Sequence, residues 1–350
     1  MDAATNSGKH RMLKAILALA GLGALLALGG WLWIERSLAP VVAAGDGAIV
    51  VQTIDFVVKP GDSLGRVADA LQAEGIIRNA KVTRWLARKE DLSSKLKVGE
   101  YQLSATQSTH EILETLSKGR VRTHSVVIPE GKRATEIADL LVAAGLAERD
   151  AFLEVVFDPE APKRLGVEGT SLEGYLFPDT YRFARGLAPS RIAEAMVREF
   201  VGVYEELPAP EAEPVLSMRE QVTLASIVEK ETGAAHERPL IAAVFLNRLR
   251  LGMRLETDPT VIYGIEKFDG NLRRVHLRDA SNIYNTYKIR GLPPGPIASP
   301  GRDALRAVRQ PADSPYLYFV SQNNGTHAFS KTYAEHERAV DRYQRRRRRR

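Results

Sequence analysis

SMREQVTLASIVEKETG, Ser217 to Gly233, decides how the chain is read. Ser217 with Glu220 three residues later is a capping box, so the pattern predicts a helix from Ser217 to about Thr232. On the 3.6-residue period Met218, Val222 and Ala225 mark one face, and Glu229 is the next position on it. An acid that continues an apolar stripe is either paired or set in a cleft that raises its pKa. Lys230 and Glu231 point elsewhere. Glu229 is therefore the first candidate for chemistry, against the plainer alternative of a salt-bridged boundary glutamate. Ser226 lies one turn before it, but with no histidine base nearby in the pattern it reads as a polar packing contact.

Working outward, LEGYLFPDTYRF clusters Glu173, Tyr175, Phe177, Asp179, Tyr181 and Phe183 around Pro178. Acids interleaved with aromatics suit a sugar cleft, where rings stack on apolar sugar faces and carboxylates bind hydroxyls. Aromatics in a strand with acids at its turn give the same pattern. Downstream, 239–249 is a nearly continuous apolar run and predicts a buried helix. Residues 252–299 are rich in turn formers, and ordered loops of that composition usually build a site. They carry Asp258, Tyr284, Asn285 and Tyr287. SPYLYFVSQ, Ser314 to Gln322, predicts a strand, followed by a turn, His327, and a closing helix from Tyr333 to Tyr343.

At the other end, Ala15 to Ile34 is twenty residues without a charge, about 30 Å as a helix and long enough to cross a bilayer. Lys9, Arg11 and Lys14 precede it, which places residues 1–14 in the cytoplasm and the rest outside, behind an uncleaved single-pass anchor. A cleaved signal peptide is the rival. Residues 35–50 read as a linker, and 51–122 as a small α/β module. Within it, Val57–Ile76 partly repeats in Val126–Leu146, each a strand, a turn, an amphipathic helix and a glycine stop at Gly75 or Gly145. Residues 123–343 form the larger α+β domain, and 344–350 a basic tail.

Composition narrows the chemistry. The absence of cysteine removes disulfides, thiol catalysis and thiolate metal sites. Of the net charge of +6, Arg345 to Arg350 supply six positive charges, so no broad nucleic-acid-binding surface is expected. The seven histidines form no HExxH or comparable pair, which argues against a metal site. No Gly-rich phosphate loop is present, and no cofactor is expected. Acid-catalysed glycosidic cleavage remains. It needs a carboxylic acid kept protonated near neutral pH, and a hydrolase needs a second carboxylate about 5–9 Å away. Glu173, Asp179, Asp258 and Glu231 are the candidates for that second group.

The stretches TLASIVEKET, FLNRLRLGMRLETDPTVIYG, YNTY, GLPPGPIASPG, SPYLYFV, GTHAFS and LEGYLFPDTY together resemble the bacterial endolytic murein transglycosylase family, the YceG-like or MltG proteins. The resemblance covers residues 10–343. It implies a membrane anchor, a LysM-like module at 51–122, and a catalytic domain with a central catalytic helix. The implied activity is non-hydrolytic cleavage inside nascent peptidoglycan strands, between N-acetylmuramic acid and N-acetylglucosamine, leaving 1,6-anhydro-muramyl ends and terminating elongation. By resemblance Glu229 is the essential glutamate, acting as acid and then as base. Glu173, Tyr175, Asp258, Tyr284, Asn285 and His327 would bind or orient sugar, or hold the loops. Glycan strands, the inner membrane and a peptidoglycan synthase are the implied partners. The rival functions are a hydrolytic muramidase using a second carboxylate and a non-enzymic, membrane-anchored wall-binding protein.

Overall fold

The structure, a computed structural model, describes residues 3–42, 53–59, 61–210 and 214–345, with side chains in the first helix described at Leu17 and from Leu19 onward. Most of the expected linker (43–50), Pro60 of the first turn and residues 346–350 of the basic tail lie outside the described residues. The chain divides into two compact units, 1–123 and 124–350.

The first unit runs α1 (Ala3–Leu38), β1 (Thr53–Val58), α2 (Leu64–Ala73), α3 (Ala80–Lys89), β2 (Gly99–Ser104) and α4 (Thr109–Lys118). Its helices after α1 begin where side chains cap them: Ser63, Asn79 and Ser108 each accept first-turn N–H bonds. β1 and β2 pair antiparallel with Phe56 opposite Tyr101, and these two rings with Leu71, Leu103, Ile112 and Leu116 make the core.

The expected membrane span at 15–34 is corrected. One helix does run through it, but among the described residues no helix is long and apolar enough to cross a membrane. The single-pass, inner-membrane placement of the chain loses its structural basis with it.

The second unit runs β3 (His124–Val127), α5 (Ala134–Ala143), α6 (Arg149–Val156), α7 (Ala161–Arg164), β4 (Thr180–Phe183), α8 (Pro189–Glu206), α9 (Met218–Glu231), α10 (Arg238–Arg250), α11 (Asp258–Tyr263), α12 (Arg274–Arg278), α13 (Arg302–Arg309), β5 (Tyr318–Ser321), β6 (His327–Ser330) and α14 (Tyr333–Val340). Helices thus dominate, with two antiparallel strand pairs, β3–β4 and β5–β6. α9 carries the expected capping box, and every residue from Gln221 to Val228 is buried against α10, α11 and α13. The repeated strand–helix units, β1–α2 and β3–α5, end alike, with Gly75 at φ 69° and Gly145 at φ 66°, a left-handed turn that favours glycine. β5 is shorter than expected. The preceding carbonyls of Ser314, Tyr316 and Leu317 instead accept from the Asn247 and Arg248 side chains of α10, at 2.7–3.0 Å.

Candidate active site

The C-terminal end of α9 carries two carboxylates, Glu229 and Glu231, which lie roughly 200° apart around the helix. Their surroundings differ completely. Glu229 Oε1 accepts from Arg238 Nη2 at 2.9 Å and Oε2 from the Gly301 backbone N–H at 3.0 Å. The side chains of the pair are 6% and 10% exposed. Arg238 also reaches Glu130 at 3.4 Å and Asp303 at 3.8 Å. Burial, and then the Glu229 charge, raise the Glu130 carboxyl above its ordinary range. The same side of α9 grips two loops. Lys230 Nζ donates to the Gly131 carbonyl at 3.2 Å, and Ser226 Oγ accepts from Ile297 N at 3.0 Å. Gly131 N and Ser299 N close the two loops on each other through Ser299 O and Lys132 O. A Cβ at Gly301 would fall 1.8 Å from Glu130 Oε1, so the Glu130 side chain would have to move aside for it.

Glu231 faces a cleft of about 410 Å³, lined also by Arg248, Asp258, Tyr287, Tyr318, Tyr333 and His336. Thr257 Oγ1 donates to Glu231 Oε1. Burial pushes the Glu231 carboxyl up to about 7, and the neighbouring Asp258 pushes the same way; the Thr257 hydrogen bond, His327 and Arg248 pull it back down. Thr257 is itself held by Thr286, whose Oγ1 accepts from Thr257 N at 3.0 Å and lies 2.9 Å from Thr260 Oγ1. Asp258 Oδ1 accepts from Tyr287 OH at 2.8 Å. Arg248 forms one wall, its guanidinium donating to Leu317 O and Leu255 O and lying 5.1 Å from the centre of the Tyr318 ring. A carboxylic acid held near neutrality, open to an aromatic cleft, is equipped to donate a proton.

A third acid, Glu173, is 3% exposed. It accepts from Ala134 N, the first residue of α5, at 3.0 Å and from Tyr263 OH at 3.2 Å. Burial pushes its carboxyl up to about 7, against the pull of those hydrogen bonds and of Arg133. It is buried at the junction of α5 and α11 and does not line the cleft of Glu231.

A family model described as the YceG-like family matches residues 56–342. The chain belongs to the YceG-like family. An endolytic murein transglycosylase of Bacillus subtilis is 29% identical over 307 residues, covering 83% of this chain and 85% of that protein. One from Streptococcus pneumoniae is 28% identical over 355 residues, covering 91% of this chain and 63% of that longer protein. Among solved structures, a YceG-like protein of Listeria monocytogenes superposes with a TM-score of 0.55 at 31% identity, over 82% of this chain and 99% of that one.

Set against this YceG-like structure, the expected site residues scatter. Asp258 lines the cleft. Glu229 does not, and its two oxygens accept from Arg238 and Gly301 instead. Tyr175 is a core residue, edge-on to Phe200 at 5.0 Å with its hydroxyl on the Glu168 carbonyl. Asn285 is fully buried, its amide donating to the carbonyls of His276, Leu277 and Asp279. Tyr284 packs on Tyr263 at 4.7 Å, next to Glu173. His327 Nδ1 lies 2.7 Å from Glu237 Oε2, and its backbone N–H donates to the same carboxylate. Sequence reasoning passed over Thr257, Thr286, Arg248, Tyr318 and His336. The first two sit inside the TDPT and YNTY motifs, one residue from Asp258 and Asn285, and were the legible signal.

Proposed function

We propose that this chain is an endolytic murein lytic transglycosylase in which Glu231, rather than Glu229, carries the proton. The observation that carries the reading is the Glu231 carboxyl, held near neutral pKa by burial at the end of α9 and facing an open cleft with aromatic walls. The curated relatives' activity supports the substrate class. Protonated Glu231 donates to the glycosidic oxygen between N-acetylmuramic acid and N-acetylglucosamine as the C1–O bond breaks. The new N-acetylglucosamine end leaves with that proton as its hydroxyl. The resulting carboxylate takes the proton of the muramyl C6 hydroxyl as O6 closes on C1. One residue serves twice, the carboxyl returns to its starting form, and no water is consumed. Thr257 orients the carboxyl, and Asp258 with Tyr287 shapes the cleft beside it. Glu229, Glu173, Tyr284, Asn285 and His327 hold the elements and loops in place. Internal cuts in a growing strand would end its elongation, and a synthase that supplies the strand is the partner this reading expects.

Asp258 favours one second reading, because it lines the same cleft as Glu231. A carboxylate in that position activates water in an inverting hydrolase. Mass spectrometry of digested glycan separates the two. Ends one water lighter than a reducing sugar support the lyase, and reducing ends refute it in favour of the hydrolase.

A further inference from the structure

Glu231 and Asp258 reach the cleft from α9 and α11, whereas Tyr318, Tyr333 and His336 reach it from β5 and α14. These last three rings buttress one another. Tyr318 stacks on His336 at 5.2 Å with 23° between planes, and Tyr333 stands at 5.9 Å from Tyr318 and 6.3 Å from His336. The Arg248 guanidinium supports Tyr318 at 5.1 Å. Tyr333 is nevertheless 60% exposed, on the first turn of a short helix in which no residue is buried. A large ring held rigidly at a cleft wall and left uncovered does little for the core. It is pre-ordered contact area.

His336 adds a polar edge to this wall. Its Nδ1 is buried without a hydrogen-bond partner. Burial, and then the nearby Arg248 charge, lower the imidazole from its ordinary range against the opposing pull of Glu337 and Glu256. The ring that lines the cleft is therefore neutral at neutral pH. Aromatic faces with a neutral donor–acceptor ring at their edge match a pyranose, which offers an apolar C–H face and a rim of hydroxyls. Arg248, the cation in the same cleft, donates its Nε and Nη1 to the carbonyls of Leu317, Arg254 and Leu255 and lies against Tyr318.

We propose that Tyr318, Tyr333 and His336 form a sugar-stacking subsite that binds a glycan strand beyond the linkage being cut. The substrate class follows from the function proposed above, and the subsite sharpens it. The cleft engages a strand longer than the disaccharide at the reacting bond, so binding energy from remote sugars is available to the reaction.

The test is the affinity of the full chain for peptidoglycan glycan strands of defined lengths, stripped of stem peptides, in a Glu231→Gln background that prevents turnover. Tyr333→Ala is expected to weaken binding of long strands by about tenfold while leaving a disaccharide unaffected, whereas Tyr333→Phe, which keeps the ring, binds like the parent. His336→Ala is expected to act in the same direction. In the active enzyme, Tyr333→Ala should act on long strands chiefly by raising KM. Equal affinity of parent and Tyr333→Ala for long strands overturns the subsite, and so does an equal loss for long and short ligands. Binding in this background is read independently of which carboxyl moves the proton. Persistent cleavage by Glu231→Gln would therefore refute the proposed function and leave the length dependence to be read at early times.

Discussion

On one side of the last turn of α9, Glu229 is enclosed by an arginine, a backbone N–H and two loops. On the other, Glu231 has one hydroxyl donor and an open cleft. The two carboxylates share a helix and a local sequence, and differ in what the rest of the chain brings to each. Strong donors on both oxygens fix a carboxylate in place, which suits anchoring. Burial with few donors makes it hold a proton, which suits acid catalysis. The anchored side fixes the helix end from which the reactive side projects.

The comparison can be broken at several depths. The largest effect is expected in the pH profile of turnover. With a donor that must be protonated and whose carboxyl sits at about 7, activity should fall roughly tenfold per unit once pH exceeds that value. A profile flat to pH 9 would place the acid elsewhere. Next in size is Arg238→Ala, which leaves Glu229 buried without its cation and should cost about 4 kcal/mol in denaturant unfolding. A loss below about 1 kcal/mol would make the pair a bystander.

Glu173 gives a smaller, pH-dependent effect. Its folded pKa of about 7 lies above the ordinary 4.5, so the folded state holds the proton more tightly than the unfolded chain. The associated stability is complete below about pH 4.5 and is lost as pH rises through about 7, by about 3 kcal/mol. Glu173→Gln should remove that share of the pH dependence, while the Glu231 share, of the same sign, remains. If the unfolding free energy of the variant falls between pH 5 and 8 as steeply as that of the parent, the assignment of Glu173 is mistaken. The smallest effect is Ser226→Ala, which strands the Ile297 N–H and should cost about 1 kcal/mol without changing the pH profile.

Much of the frame was legible. The Ser217–Glu220 capping box and the stripe through Met218, Val222 and Ala225 give α9 within a residue of its observed bounds, and the apolar run after Pro239 gives α10. Local rules reach that far because caps and periodicity are local. The stripe also posed the correct alternatives for Glu229, paired or reactive. The groups that pair with it are Arg238, on the next helix beyond a break at Gly233, and Gly301, which lies 72 residues beyond Glu229 in sequence. Glu231 leaves the apolar stripe, so the sequence offers it only as a candidate second carboxylate. The cleft it faces is assembled from α10, the loop around Thr257, Tyr287 and the β5–α14 segment, and no spacing in the sequence announces that these converge. Tyr175 and Asn285, polar side chains in conspicuous motifs, hold core and loop through their hydrogen bonds.

Under the proposed function the two glutamates of the EKE triplet exchange the roles their sequence suggests. Rates of glycan cleavage by Glu231→Gln and Glu229→Gln, measured side by side on folded full-length protein, test it most directly. Glu231→Gln should lose about a thousandfold or more, while Glu229→Gln keeps turnover within roughly thirtyfold of the parent and unfolds more easily. The reverse order, with Glu229→Gln inactive and Glu231→Gln turning over, would contradict the account.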